Sequence, residues 1–137
     1  MPSLDELRDV AHRVAVVAGY RLVVLFGSLG RGERAAGDID LGVLPRVGHG
    51  SLDLLDATNR FAASLSRSDI DVVDLRRANP VLLMAVARDG IPLFEATPSE
   101  FDEFSSLAMR RYADTKKFRD AIREDLREYG ASGRHGT

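Results

Sequence analysis

The feature that most constrains the fold is an apolar run that ends in a turn of small residues. The run Leu22–Phe26 has the composition of a buried strand, and Gly27 and Ser28 follow it directly. Glycine allows a close approach of the backbone, and serine adds a hydroxyl donor, so this turn suits a phosphate group. The pattern predicts a strand that leads into an anion-binding loop.

Two aspartates, Asp38 and Asp40, begin the next apolar segment. Because side chains alternate in a strand, both carboxylates point to the same face, with Cα atoms about 6–7 Å apart. Carboxylates this close repel each other unless a cation lies between them. Mg²⁺ fits this role, since it commonly binds through one or two carboxylates together with substrate phosphates. A phosphate-binding turn beside such a pair predicts phosphoryl or nucleotidyl transfer.

Taken together, these residues resemble the motif of the polymerase-β-like nucleotidyltransferase superfamily, in particular its minimal nucleotidyltransferase (MNT) branch. The motif consists of Gly-Ser, a loop that includes Arg-Gly, and Asp-x-Asp. The matching positions are Gly27, Ser28, Arg31, Gly32, Asp38 and Asp40. Two departures, a gap of nine residues between Ser28 and Asp38 and a glycine at position 37 in place of the usual serine, both lie within the loop.

A third carboxylate is expected from the apolar segment 70–75, which contains Asp71 and Asp74. An acid in a buried strand is costly unless it is paired or binds a metal, and the odd spacing points these two to opposite faces. The resemblance implies a third carboxylate on this strand, usually its first aspartate. We therefore assign Asp71 as the third ligand or general base. Asp74 is the alternative, and otherwise would bond to amides of the following turn.

The composition is that of an ordinary globular domain: 137 residues, 45% of them hydrophobic and 29% charged. The net charge is −2, without a concentrated Lys/Arg block in residues 1–100, which argues against a nucleic-acid substrate. The lack of cysteine excludes disulfides and thiolate sites. The sequence shows neither a signal peptide nor an apolar stretch long enough for a membrane span, so we expect a cytoplasmic protein.

Periodicity and capping residues predict helices that alternate with strands, an α/β (α+β) fold with a small mixed sheet and flanking helices. Expected helices cover about 3–18, 52–65 (capped by Ser51) and 80–89, and expected strands cover 21–26, 38–44, 70–75 and 91–95. Thr97 and Pro98 begin a last helix of about thirty residues, because neither Gly nor Pro follows before Gly130. The resemblance implies the polymerase-β-like nucleotidyltransferase fold.

We expect a nucleotidyltransferase core at 1–96, a C-terminal helix at 97–130 that contacts a partner, and a disordered tail at 131–137. The long helix carries an apolar stripe: Phe101, Phe104, Ala108, Thr115, Phe118, Ile122, Leu126 and Tyr129. The stripe is longer than a small domain can cover, although its first half is expected to pack back over the sheet. Related enzymes that modify antibiotics or RNA add a domain for the acceptor, and we expect none here.

The segment Arg111–Asp114, and the stretch from Asp71 to Gly90, resemble the antitoxin members of the MNT family, which accompany HEPN-domain ribonuclease toxins. The resemblance covers about residues 5–128. The resemblance implies transfer of AMP from ATP to a tyrosine hydroxyl of the cognate toxin, with two Mg²⁺ ions and a tight complex between the proteins. Asp38 and Asp40 would hold the metals, and Asp71 would take the acceptor proton or complete the second metal site. Gly27 and Ser28 would position the phosphates.

Other roles and functions remain open at this point. Arg31 would either neutralise phosphate charge or brace the loop. The protein could instead neutralise a toxin by binding and masking it without catalysis, or it could be a small-molecule nucleotidyltransferase of the aminoglycoside-modifying type. It could form homo- or hetero-oligomers.

Overall fold

The computed structural model describes residues 1–27, 38–48 and 50–135, with side chains as far as Gly130. These described residues form five helices and four strands. In chain order they are α1 (Leu4–Ala18), β1 (Tyr20–Phe26), β2 (Ile39–Pro45), α2 (Leu54–Leu65), β3 (Ile70–Asp74), α3 (Pro80–Asp89), β4 (Ile91–Glu95), α4 (Glu100–Asp114) and α5 (Lys116–His135).

The four strands form one mixed sheet in the order β3-β2-β1-β4. Strand β1 runs antiparallel to both β2 and β4, whereas β2 and β3 are parallel. A parallel pair needs a crossover connection, and α2 supplies it between β2 and β3. The predicted fold class, a small mixed sheet with flanking helices and a long C-terminal helix, is confirmed.

Helices cover both faces of the sheet and create two apolar cores. Helices α1 and α2 pack on one face, where they meet Val23 and Leu25 of β1. Helices α3 and α4 pack on the other, where they meet Leu22 and Val24. Because both faces are covered, β1 reads as a nearly continuous apolar run in the sequence. We call these the α1–α2 face and the α3–α4 face.

Capping side chains define several helix starts. The Ser3 hydroxyl accepts a hydrogen bond from the Glu6 amide at 3.1 Å, and the Asn79 side chain accepts one from the Leu82 amide at 2.9 Å. Two predicted caps are wrong by two residues. Helix α2 is capped by Asp53 rather than Ser51, and α4 begins after Ser99 rather than Thr97. The Asp53 side chain accepts a hydrogen bond from the Asp56 amide at 3.0 Å, whereas the Ser99 side chain makes no capping hydrogen bond.

The C-terminal segment is two helices, so the prediction of one continuous helix is wrong. The break lies at Thr115, whose hydroxyl donates to the Tyr112 carbonyl at 2.7 Å. Arg119 holds this corner: its Nε donates to Thr115 Oγ1 at 2.9 Å, and its guanidinium lies 3.9 Å from the centre of the Tyr112 ring. A threonine that bonds back to its own helix can bend or end it without Gly or Pro.

Helix α5 extends to His135, five residues into the expected tail at 131–137, and the disorder of that tail stays a prediction. Among the described residues, none of the helices has both the length and the hydropathy that crossing a bilayer requires.

Candidate active site

Two of the predicted site carboxylates are aligned on neighbouring strands. Asp40 of β2 is paired with Phe26 of β1 on one side and with Asp71 of β3 on the other. Paired residues of adjacent strands point to the same face, and the strands lie about 4.8 Å apart. Asp38 immediately precedes β2 and has the same parity as Asp40. The fold therefore brings the three carboxylates to one edge of the sheet.

This edge is where β1 ends and where β2 and β3 begin. Along β2, Asp40 alternates with core residues of the α1–α2 face and shares its parity with Leu44, which lies in the core under α3 and α4. The site is thus on the α3–α4 face. Asp38 and Asp71 are exposed and Asp40 is half-buried, so the edge is open to a substrate from solvent.

The electrostatics of the edge favour a cation. Burial raises the pKa of the Asp40 carboxyl, and the nearby charges of Asp71 and Asp38 raise it further. Within the part of the chain that the structure describes, three or more acidic or imidazole side chains do not converge closely enough to hold a metal ion by themselves. Mg²⁺ does not need such a cage, because it binds through one or two carboxylates together with substrate phosphates. The carboxylates of Asp38, Asp40 and Asp71 fit a Mg²⁺ ion that is bound in this way.

Gly27 follows β1 directly and lies against Asp40. Its φ is +75°, in the left-handed region that favours glycine. A Cβ atom at this position would lie 3.2 Å from Asp40 Cγ and 3.4 Å from its Cβ, and still closer to Oδ2. Sequence reasoning assigned Gly27 to the phosphates only and missed this contact, for which the sequence carries no local signal.

Asp74 lies on the opposite side of β3 from Asp71. Its side chain is buried, accepts a hydrogen bond from the Arg76 amide at 2.9 Å, and pairs with Arg76 Nη2 at 3.4 Å. Arg77 lies at 4.0 Å from the same carboxylate. Asp74 therefore stabilises the turn after β3, and the structure places Asp71 beside Asp40 instead. Ser28 and Arg31, the other two predicted site residues, lie outside the described residues.

A model of the family "Polymerase beta, Nucleotidyltransferase" matches residues 16–99, more than half of the chain. The chain belongs to this family. It is a nucleotidyltransferase, and the resemblance to the polymerase-β-like nucleotidyltransferase superfamily drawn from its motif is confirmed. The match begins in α1 and ends just before α4, so it contains the whole sheet and the Asp38–Asp40 edge.

Relatives of this nucleotidyltransferase align over nearly the full chain. "Protein adenylyltransferase MntA" of Shewanella oneidensis is 30% identical over 136 residues, which cover 98% of this chain and 96% of that protein. A solved toxin–antitoxin structure with AMP-PNP is similar at 26% identity and a TM-score of 0.73, over 91% of this chain and 98% of that one. A chain from a structure of the tri-AMPylated Shewanella oneidensis HEPN toxin with MNT antitoxin is similar at 26% identity and a TM-score of 0.71. The match covers 90% of this chain and 98% of that one.

Proposed function

We propose that this nucleotidyltransferase is an antitoxin that transfers AMP from ATP to a tyrosine hydroxyl of a cognate HEPN ribonuclease toxin and thereby neutralises it. The observation that carries the proposal is the alignment of Asp40 with Asp71, against Gly27, at the edge of the sheet. Similarity over nearly the full length to a protein adenylyltransferase, and to a chain from an AMPylated toxin–antitoxin complex, supports AMP as the transferred group and a toxin as the acceptor. The tyrosine is what the family resemblance implies.

ATP is the proposed donor, because a similar solved chain comes from a toxin–antitoxin structure with the ATP analogue AMP-PNP. Asp38, Asp40 and Asp71 are the residues that would hold Mg²⁺. When bound, two such ions would neutralise the triphosphate and the charge that develops at the α-phosphate. Gly27 leaves the turn after β1 free of side-chain bulk beside Asp40, and Ser28 and Arg31 are assigned to the phosphates by their place in the motif.

The chemistry that the chain's own residues perform is positioning and proton removal. The tyrosine oxygen of the toxin attacks the α-phosphorus, the P–O bond to the β-phosphate breaks, and pyrophosphate leaves. We assign the proton of the tyrosine hydroxyl to Asp71, which is exposed and therefore open to an acceptor carried by another protein.

ATP and the RNA that a ribonuclease cleaves are both cytoplasmic, so we place the reaction in the cytoplasm.

The toxin also needs a binding surface, and α5 offers one. Phe118, Ile122, Leu126 and Tyr129 recur at helical spacing on α5, with 69%, 43%, 65% and 78% of their surface exposed. Beside them, a groove of about 630 Å³ between α3 and α5 is lined by Val81, Leu82 and Phe118, among others. By contrast Phe104 and Ala108, in the first half of the predicted stripe, are buried in the core.

We propose that the apolar face of α5 contacts the toxin. A contiguous apolar face of this kind marks an interaction site, and similar chains were solved in complexes of toxin and antitoxin. This assigns the C-terminal segment to partner contact and the sheet to catalysis, so that one domain both holds its substrate protein and modifies it.

The test is incubation of the purified chain with its cognate HEPN protein, labelled ATP and Mg²⁺. The proposal expects AMP on a toxin tyrosine, located by mass spectrometry, together with loss of ribonuclease activity. The Asp40→Asn variant should bind the toxin without labelling it. Inhibition by wild type and variant alike, without label, would show masking instead, and label on an aminoglycoside but never on the toxin would show a small-molecule enzyme. Parallel reactions with GTP, CTP and UTP would define the base preference.

A further inference from the structure

A cavity lies at the opposite end of the sheet from Asp40. It has a volume of about 300 Å³ and lies between the start of β1, the end of β2 and helix α4. Its floor is apolar and buried, and consists of Leu44, Leu75, Leu83 and Phe104. Leu44 is four residues beyond Asp40 on β2, about 13 Å at the usual rise of a strand. The cavity is therefore separate from the Asp38–Asp40 edge.

A β-bulge aims Arg21 into this cavity. Tyr20 is paired with Pro45 and Leu22 with Leu44, so β1 has one extra residue, Arg21, at this point. Tyr20 and Val23 both pack in the core of the α1–α2 face, whereas Leu22 packs on the other face. The bulge thus turns Arg21 and Leu22 to the same side, where Arg21 lines the cavity. Re-aiming one side chain is a known use of bulges near functional sites.

The guanidinium of Arg21 is left with an unused donor. Its Nε is buried, and among the described residues no atom accepts a hydrogen bond from it. Its Nη1 lies 3.8 Å from Glu100 Oε2, too far for a hydrogen bond. The other oxygen of Glu100 accepts from the Thr97 hydroxyl at 3.2 Å. A buried donor without an acceptor is unfavourable, and in native proteins it commonly marks a place where a water or an ion binds.

The charges around the cavity favour an anion. Four arginines line it against two glutamates, Glu100 and Glu103. One arginine, Arg76, is already used, since its Nη1 donates to the Gly50 carbonyl at 3.0 Å and its Nη2 pairs with Asp74. Arg110 and Arg111 are exposed at the mouth, and in the part of the chain that the structure describes neither has an ion-pair partner. Arg21 pairs with Glu100 at 3.8 Å, so Arg110 and Arg111 against Glu103 leave the cavity with an excess of positive charge.

We propose that this cavity, the Arg21 cavity, binds a small organic anion with a phosphate or carboxylate head and an apolar body. The head lies near the guanidinium groups of Arg21, Arg110 and Arg111, since guanidinium groups bind such oxygens in charge-assisted pairs. The body rests on the leucines and Phe104 of the floor. The volume is at the lower end of the range for small-molecule sites, and an enclosed floor suits a small ligand better than a protein surface.

The experiment follows the Nε–Hε resonance of Arg21 by ¹H–¹⁵N NMR while phenyl phosphate, benzoate or uncharged phenol is added to the full chain. We expect a saturable shift with phenyl phosphate or benzoate and none with phenol. Comparison of the two anions decides which head group binds. Arg21→Gln, followed through backbone amides of the floor residues, should weaken binding at least about tenfold, and Arg21→Lys, which keeps the charge but lacks Nε, by less.

Arg13→Gln is the matched control, because Arg13 is an exposed arginine of α1 on the other face of the sheet. It should bind the anions as wild type does. Thermal unfolding by circular dichroism establishes that each variant is folded. The proposal is wrong if neither anion saturates, or if Arg21→Gln and Arg21→Lys bind as tightly as wild type. It is also wrong if the toxin displaces phenyl phosphate and Arg21→Gln weakens the toxin complex, because the occupant is then an acidic side chain of the partner.

Discussion

Gly27 lies directly against the carboxylate of Asp40, close enough that even a single Cβ atom on Gly27 would displace it. These two residues stand thirteen positions apart in the sequence, at the two ends of the nucleotidyltransferase motif. Their contact makes the turn after β1 and the carboxylates of β2 one structural unit. A change in the turn therefore acts on the carboxylate as well as on the phosphates.

The first prediction follows from this contact. Gly27→Val should lower the affinity for Mg·ATP at least about tenfold, because the branched side chain displaces the Asp40 carboxylate and fills space beside the triphosphate. Isothermal calorimetry with Mg²⁺ and a non-hydrolysable ATP analogue measures this. Unchanged affinity would show that the turn has only a structural role.

Gly48→Val is the control for backbone strain. Gly48 has φ +88°, similar to the +75° of Gly27, but a Cβ atom there would meet no atom of the described residues within 4 Å. It should cost about 1–2 kcal/mol of stability from the left-handed backbone and leave nucleotide affinity unchanged. Equal loss of binding in both variants would attribute the effect to strain rather than to Asp40.

Asp40→Asn should reduce AMP transfer at least about a hundredfold, because it removes a carboxylate charge that would hold Mg²⁺. A bound metal stabilises the transition state by several kcal/mol. The variant should not be less stable than wild type. Burial, and then Asp71 and Asp38, raise the pKa of Asp40, so its ionised form disfavours the folded state near pH 7 when no cation is bound. The melting temperature of the variant without metal should equal or exceed that of wild type. Asp9→Asn, on the exposed side of α1, is the matched control.

Substitution of Asp71 should affect catalysis, whereas substitution of Asp74 should affect stability. Asp71→Asn is expected to lower the transfer rate at least about tenfold, as for loss of a general base or metal ligand, with little change in the unfolding midpoint. Asp74→Asn should keep transfer within about twofold but lower the free energy of unfolding by about 1–3 kcal/mol, because it weakens the bonds of a buried carboxylate to Arg76. Single-turnover kinetics and urea unfolding measure the two effects. The reverse result would mean that Asp74 is the functional acid.

The fourth prediction tests the partner surface. Replacing Phe118 and Ile122 by serine should raise the dissociation constant of the toxin complex at least about thirtyfold, since two apolar anchors are lost. The control replaces Glu124 and Arg127 by serine, on the other side of α5, where the number of truncations is the same and net charge is also unchanged. Nucleotide affinity should stay constant in both. A Phe118/Ile122 double variant that binds and labels the toxin normally would show that α5 is not part of the interface.

Much of the local structure was predictable because its causes are local. Ser3 and Asn79 cap helices through amides three residues away, so their signals are contained in a few adjacent positions. The same holds for the apolar strands and for the spacing of Asp38 and Asp40. Where two capping residues stand close together, as Ser51 and Asp53 do, the pattern alone did not decide between them.

The sequence by itself determined the family, the order of helices and strands, and the parity that puts Asp38 and Asp40 on one face. Tertiary structure decided that Asp71 lies beside Asp40 and that a bulge turns Arg21 toward α4. It also decided which half of the apolar stripe is covered. The physical reason is that alternation within a strand and capping within a turn depend on neighbouring residues. Register and burial depend instead on which distant segments pair and pack, and no short stretch of sequence contains that choice.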